Sequence, residues 1–125
     1  MNPAFVISTA NELFRFQPED IVFISADRNY SHLFTADGDE KIVVLQLGHI
    51  EENLARQLNE EATQFIRIGR GLIINRKYIY YINLQKNQLV LKSPNGKQHP
   101  LAVPHEPLVA LKKIIETEII NPITT

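Results

Sequence analysis

The side chains that could do chemistry are few and scattered along the chain. His49 and Glu52 lie three positions apart, a spacing with which one helix can offer two metal ligands, but no second pair accompanies them. Asp37, Asp39 and Glu40 crowd one turn without the later bidentate glutamate of a calcium loop. An exposed helix face and a solvated turn explain both groups better. We therefore expect no catalytic residue, no metal site and no cofactor.

Arg70 is the side chain best suited to recognise a partner, because it lies between Gly69 and Gly71. Glycines on both sides let the backbone approach a partner closely and hold the guanidinium outward. Arginine bonds bidentately to guanine O6 and N7 in duplex DNA. The segment is no phosphate-binding P-loop, which needs a lysine and a helix at this point. A plain turn with a solvated arginine remains the alternative.

Charge is unevenly distributed along a chain whose formal net charge is only −1. Residues 1–66 carry four Lys/Arg against eleven Asp/Glu, whereas residues 67–113 carry nine Lys/Arg against Glu106 alone. A basic block of this kind favours nucleic-acid binding, although a spread of solvated charges around the fold stays open. The candidate phosphate contacts are Arg28, Arg67, Arg76, Lys77, Lys97 and Lys112.

Length and composition indicate one globular domain over residues 1–125, with 44% of positions apolar. No cysteine is present, which excludes disulfides and thiolate zinc sites. The longest apolar runs have four or five residues, far short of the roughly 20 that span a bilayer. We expect a cytoplasmic protein without a membrane segment.

The hydrophobic pattern predicts a mainly β domain with two short helices. Asn75 follows a buried apolar run, where a side-chain amide typically caps a turn. Clustered Tyr78, Tyr80 and Tyr81 favour cross-strand packing in the core over stacking on bases. Strands are predicted at residues 5–8, 12–16, 21–25, 31–36, 41–47, 65–68, 72–74, 79–84, 88–92 and 97–103, and helices at 48–58 and 107–118.

Three segments together resemble the LytTR DNA-binding domain family. Residues 65–79 read FIRIGRGLIINRKYI, similar to the family's F-hydrophobic-R-hydrophobic-H-R-S signature with its following apolar run, N and Y-I pair. Residues 20–31 read DIVFISADRNYS, similar to its D-I-hydrophobic-Y-I-E-A-x-x-N-Y segment. Residues 89–97 read LVLKSPNGK, similar to its L-x-L-x-x-x-N-G-K hairpin. The three matches keep the family's order over about residues 12–116.

The resemblance implies an elongated sandwich of small antiparallel sheets that reads double-stranded DNA from loops. Three places then supply the base contacts: Ser31 and His32 with Asn29 nearby, Arg70, and the turn before the last helix. That turn reads VPHEP at residues 103–107 where V-S-R-S-Y is usual, so His105 takes the place of the arginine. Gly69 and Gly71 likewise stand where histidine and serine are common. Packing of His32 in the core is the alternative for that residue.

The function that follows is sequence-specific DNA binding in bacterial transcription regulation. The resemblance implies repeated half-sites, a second copy of the domain on DNA, and a receiver or sensor domain that this chain lacks. The leading alternative is a protein-interaction module on the same β fold that has lost affinity for DNA. A small-molecule sensor comes next, and an enzyme last.

Overall fold

The computed structural model describes residues 4–119, which fold into ten strands and two α-helices. The strands are β1 (Phe5–Ser8), β2 (Leu13–Phe16), β3 (Ile21–Asp27), β4 (Tyr30–Thr35), β5 (Glu40–Val43), β6 (Phe65–Ile68), β7 (Leu72–Asn75), β8 (Ile79–Asn83), β9 (Gln88–Lys92) and β10 (Gln98–Ala102). The helices are α1 (Leu47–Leu58) and α2 (His105–Thr117). Three 3-10 helices lie at Pro18–Asp20, Asn59–Gln64 and Arg76–Tyr78. The predicted fold class, mainly β with small antiparallel sheets and two helices, is confirmed.

The strands form three antiparallel sheets in this part of the chain. A five-stranded sheet has the order β5-β4-β3-β7-β6, a three-stranded sheet the order β10-β9-β8, and β1 pairs with β2. β3 is the central strand, and its apolar residues 21–24 are buried because both faces of the sheet are covered. Since neighbouring strands run in opposite directions, their turns fall at two opposite ends of the sheet.

The five-stranded sheet has an apolar core on each face. Successive side chains of a strand point to opposite faces, so Ile73 belongs to one core and Ile74 to the other. The β1–β2 hairpin and α1 cover the first face. The three-stranded sheet and α2 cover the second. The predicted apolar stripe of α1, repeating every four residues, is buried.

Both helices begin earlier than the sequence pattern predicts. β5 ends at Val43 because the Leu45 N–H turns back to the Val43 carbonyl at 2.9 Å, and Leu47 then opens α1 instead of closing the strand. α2 begins at His105, so Pro107 lies inside its first turn. A proline fits there because the first N–H groups of a helix have no intrahelical partner.

The prediction that three tyrosines pack in the core is wrong for two of them. Tyr78 is buried, but Tyr80 is 57% exposed and Tyr81 43%. The pairing of β8 with β9 is irregular between Ile79 and Tyr81, and such a bulge lets consecutive side chains turn to the same side. The ammonium of Lys92 lies 4.9 Å from the ring centroid of Tyr80.

Candidate nucleic-acid interface

Four connections meet at one end of the five-stranded sheet. The β3–β4 turn (28–29) adjoins the β6–β7 turn (69–71), since the Ala26 N–H donates to the Gly71 carbonyl at 2.9 Å. The β8–β9 turn (84–87) adjoins the β10–α2 connection, taken here with the first residue of α2 (103–105), since the Val103 N–H donates to the Asn87 carbonyl at 3.0 Å. A groove of about 370 Å³ is lined by residues of the second and fourth connections. These four connections are termed the loop end.

The β6–β7 turn presents Arg70 at the loop end. Gly69 has φ +58°, a left-handed conformation that glycine adopts without steric cost. A Cβ at Gly69 or Gly71 would meet nothing within 4 Å, so the backbone of this turn is open to a close approach. Arg70 is exposed and forms no salt bridge with any residue from 4 to 119. Its guanidinium therefore retains its hydrogen-bond donors for a partner.

Arg67, a predicted phosphate contact, is engaged inside the protein. Its guanidinium donates to the carbonyl oxygens of Gly69 and Arg70, at 3.0 and 2.8 Å. A third bond of 2.9 Å goes to the Glu51 carboxylate on α1. The side chain thus fastens the turn that carries Arg70 to the neighbouring helix.

The β3–β4 turn consists of two exposed residues, Arg28 and Asn29. Arg28 has φ 57°, which is uncommon outside glycine and marks a tight, defined turn. The Gln46 side chain donates to Asn29 Oδ1 at 3.1 Å. This bond uses one of the two lone pairs of Asn29 Oδ1 and leaves both N–H donors of the amide available for a base contact.

Ser31 and His32 follow this turn, but their side chains differ in accessibility. Ser31 is fully buried, and its hydroxyl donates to the Leu45 carbonyl at 2.7 Å. The hydroxyl therefore lies inside the protein, away from any base edge. His32 is on the opposite face of β4 with 24% of its side chain exposed, so it is not a packed core residue.

The His32 imidazole lies between two carboxylates. Nδ1 is 2.5 Å from Glu40, and Nε2 is 3.1 Å from Asp27. The hydrogen bond to Glu40 and then that to Asp27 raise the pKa of His32 above its ordinary value of 6.5, because both favour the protonated ring. A base contact from His32 would first have to replace one of these two bonds.

The fourth connection places His105 at the start of α2, where it is exposed. His105 Nδ1 lies 3.4 Å from the Leu84 carbonyl, which ties the ring to the β8–β9 turn. That turn also carries the exposed Lys86, which sequence reasoning did not single out. Its only sequence signal is membership of the basic block, since strand pairing rather than chain distance brings it beside His105.

Three of the predicted phosphate contacts lie at the opposite end of the five-stranded sheet. Arg76 and Lys77 follow β7 there, and the Asn75 amide beside them donates to the Ile21 carbonyl at the start of β3 at 3.0 Å. Lys97 lies in the β9–β10 turn, on the same side. The seven residues of β3 put about 20 Å between the two ends. These three side chains are therefore not brought together with Arg70.

Other partners also engage two of the predicted phosphate contacts. Arg76 forms an ion pair with Glu118 just beyond α2. Lys112, in the middle of α2, lies 2.7 Å from Glu116. Neither side chain is at the loop end. Of the six predicted phosphate contacts, only Arg28 and Arg67 lie beside Arg70, and Arg67 is engaged inside the protein. Arg28 therefore remains as a phosphate contact at the loop end, and the exposed Lys86 joins it.

The opposite end of the sheet carries an open hollow of about 640 Å³ with an acidic lining. Asp20, Asp37 and Asp39 line it together with Lys41. A hydrogen bond from Thr35 lowers the pKa of Asp37, and one from Lys41 lowers the pKa of Asp39. Both carboxyls are therefore ionised at neutral pH, which disfavours a phosphate beside this hollow.

Residues 4–119 hold no group of three His, Cys, Asp or Glu side chains that could bind a metal ion. Neither α1 nor α2, the two α-helices of these residues, has the length and apolar character of a membrane span.

The fold and the loop end define a β-sandwich domain that presents its polar side chains from turns. The sequence model of the LytTr DNA-binding domain family matches residues 11–116. The chain therefore belongs to this DNA-binding family. The resemblance seen in the three sequence segments is thereby confirmed. LytTR is a family of DNA-binding domains rather than of enzymes.

A solved structure supports the same fold. It is described as the LytTr DNA-binding domain of a putative methyl-accepting/DNA response regulator from Bacillus cereus, with a TM-score of 0.62. The two chains are 16% identical, and the match covers 92% of this chain and 98% of that one. At this identity the likeness concerns the fold. No curated protein matches the chain.

Proposed function

We propose that this domain binds double-stranded DNA sequence-specifically in bacterial transcription regulation, and that side chains of the loop end read the bases. The observation that carries the proposal is the placement of Arg70. Its exposed guanidinium lies on a glycine-flanked turn and makes no salt bridge within residues 4–119. Asn29 and His105 are on connections that meet at the same end.

Each side chain of the loop end has a role that follows from its chemistry. Arg70 bonds to guanine O6 and N7, Asn29 donates to a base edge, and His105 contributes a single hydrogen bond. Arg28 and Lys86 contact phosphates, which position the protein on the duplex without reading sequence. These five exposed residues come from all four connections.

The two remaining predicted contacts act differently in this proposal. Ser31 supports the Asn29 turn from inside, because its hydroxyl is bonded to the Leu45 carbonyl. His32 reaches DNA only when Glu40 or Asp27 releases one of its ring nitrogens. We therefore rank His32 below Asn29, Arg70 and His105 as a source of base contacts.

The wider setting of the domain is part of the proposal. Two copies on repeated half-sites would double the small contact surface of one loop end. A receiver or sensor domain elsewhere would then control occupancy of the site. Binding to bacterial DNA would place the protein in the cytoplasm.

Selection from a random duplex library, followed by affinity measurements at about 50 and 200 mM salt, tests the proposal. We expect one enriched motif and a negative slope of log K against log salt, about −0.9 for each phosphate contact. Arg28 and Lys86 give two such contacts per copy. Salt-sensitive binding without a motif would contradict base readout. Absence of binding would favour the protein-interaction module.

A further inference from the structure

Arg67 makes three directed hydrogen bonds, and two of them end on the turn that carries Arg70. Nε donates to the Gly69 carbonyl at 3.0 Å and one terminal nitrogen to the Arg70 carbonyl at 2.8 Å. The other terminal nitrogen donates to Glu51 at 2.9 Å. One planar group thus closes the turn and links it to α1.

These bonds matter because, within residues 4–119, the turn is otherwise tied to the sheet at its base, where the Ala26 N–H donates to the Gly71 carbonyl at 2.9 Å. The turn projects from the ends of β6 and β7, and a Cβ at Gly69 or Gly71 would meet open space. Glycine also has more backbone freedom than any other residue. Without the two bonds to its carbonyls, the direction of the Arg70 side chain would be poorly defined.

The same bonds argue against a phosphate contact from Arg67. Its side chain is only 24% exposed, and its charge faces the Glu51 carboxylate. A phosphate would have to compete with that carboxylate and with two carbonyls. Arg70, by contrast, is exposed on the outer side of the turn.

We propose that Arg67 is a positioning residue: with Glu51, it fixes the 69–71 turn so that Arg70 meets its base in a single orientation. The inference rests on the proposed function, since it concerns the precision of base readout. Arg67 would then affect sequence specificity although it makes no contact with DNA.

Arg67→Lys tests the positioning role directly. Lysine keeps the positive charge but lacks the planar guanidinium that makes the three directed hydrogen bonds. We expect discrimination at the base read by Arg70 to fall roughly tenfold, the lower part of the range for a bidentate pair. The salt slope should stay unchanged, since no phosphate contact is removed. Arg56→Lys on the exposed side of α1 is the matched control and should leave both quantities unchanged.

A double-mutant cycle with Arg70→Ala isolates the positioning role. In the Arg70→Ala background, Arg67→Lys should have no further effect on base discrimination, because nothing remains to be positioned. Equal losses in both backgrounds would overturn the proposal. So would unchanged discrimination in Arg67→Lys, or a salt slope reduced by about 0.9 in Arg67→Gln, which would indicate a phosphate contact.

Nuclear magnetic resonance relaxation separates this inference from the proposed function. Amide order parameters of residues 69–71 should fall in Arg67→Lys without DNA, and stay unchanged in Arg56→Lys. Unchanged order would overturn the inference even if the wild type reads a motif. A second outcome is possible: order falls at residues 69–71 in Arg67→Lys, but the wild type selects no DNA motif. In that case Arg67 does fix the turn, and the proposed base readout is wrong.

Discussion

The N–H of Ala26 and the carbonyl oxygen of Gly71 lie 2.9 Å apart, so the ladder between β3 and β7 continues to the base of two turns. Neighbouring strands are about 4.8 Å apart, and successive base pairs about 3.4 Å. The distance between the turns that carry Asn29 and Arg70 therefore corresponds to only a few base-pair steps along DNA. We expect the bases that they read to lie in one segment of a single groove.

Replacement of Arg70 by alanine should relax base preference. A bidentate arginine–guanine pair gives roughly 1–3 kcal/mol of discrimination, which is about 5- to 150-fold, and alanine removes both bonds. Competition between the selected duplex and duplexes substituted at each position measures this loss. Arg15→Ala, at an exposed position of β2, is the control. Full specificity in Arg70→Ala would contradict the central assignment of the interface.

Lys86 and Lys97 form a matched pair of exposed turn lysines at opposite ends of the fold. Lys86→Ala should weaken binding to all duplexes alike and reduce the magnitude of the salt slope by about 0.9, because a phosphate contact is lost. Lys97→Ala should leave affinity and slope unchanged. Titrations of both variants over a salt series provide the measurement. The reverse pattern would place DNA at the opposite end.

Substitution of His105 by arginine should tighten binding. The residue is exposed at the start of α2 and adjoins the β8–β9 turn, so a longer, permanently charged side chain would gain a second hydrogen bond to DNA. We expect severalfold higher affinity for the selected duplex. Unchanged or weaker binding would show that this connection lies outside the interface.

The sequence predicted the strands well because their apolar patterns are local. Asn75 was also predicted correctly: its Oδ1 accepts from the Lys77 N–H at 3.0 Å and caps the turn after β7. The outward orientation of Tyr80 and Tyr81 could not be predicted, since it depends on an irregularity in pairing with a strand that comes later in the chain.

The candidate interface was predictable only where its geometry is local. The exposed turn that carries Arg70 could be recognised because the two glycines are its neighbours in the chain. Lys77 and Lys86 belong to the same basic block, yet antiparallel pairing places them at opposite ends of the fold. The three-way bonding of Arg67 depends on Glu51, sixteen positions earlier. Charge along the chain therefore indicated the class of partner better than the surface that we propose for binding it.

Removal of the Glu40 carboxylate should make folding stability depend less on pH. Hydrogen bonds to Glu40 and Asp27 raise the pKa of His32 above 6.5 in the folded protein, so the folded state binds more protons between 6.5 and that higher value. This contribution to stability is fully present below pH 6.5 and is lost as pH rises through the folded pKa. Glu40→Gln removes the larger cause of the shift.

Urea unfolding of the wild type and Glu40→Gln at pH 6 and pH 8.5 measures this effect. The stability advantage of the wild type should be larger at pH 6, where the protonated imidazole donates to both carboxylates. Glu60→Gln is the control, because it removes the same charge at an exposed position. Its effect on stability should show no such pH dependence. Equal advantages at both pH values would mean that the His32–Glu40 pair does not hold a proton in solution. A nuclear magnetic resonance titration of His32 would then give a pKa near 6.5.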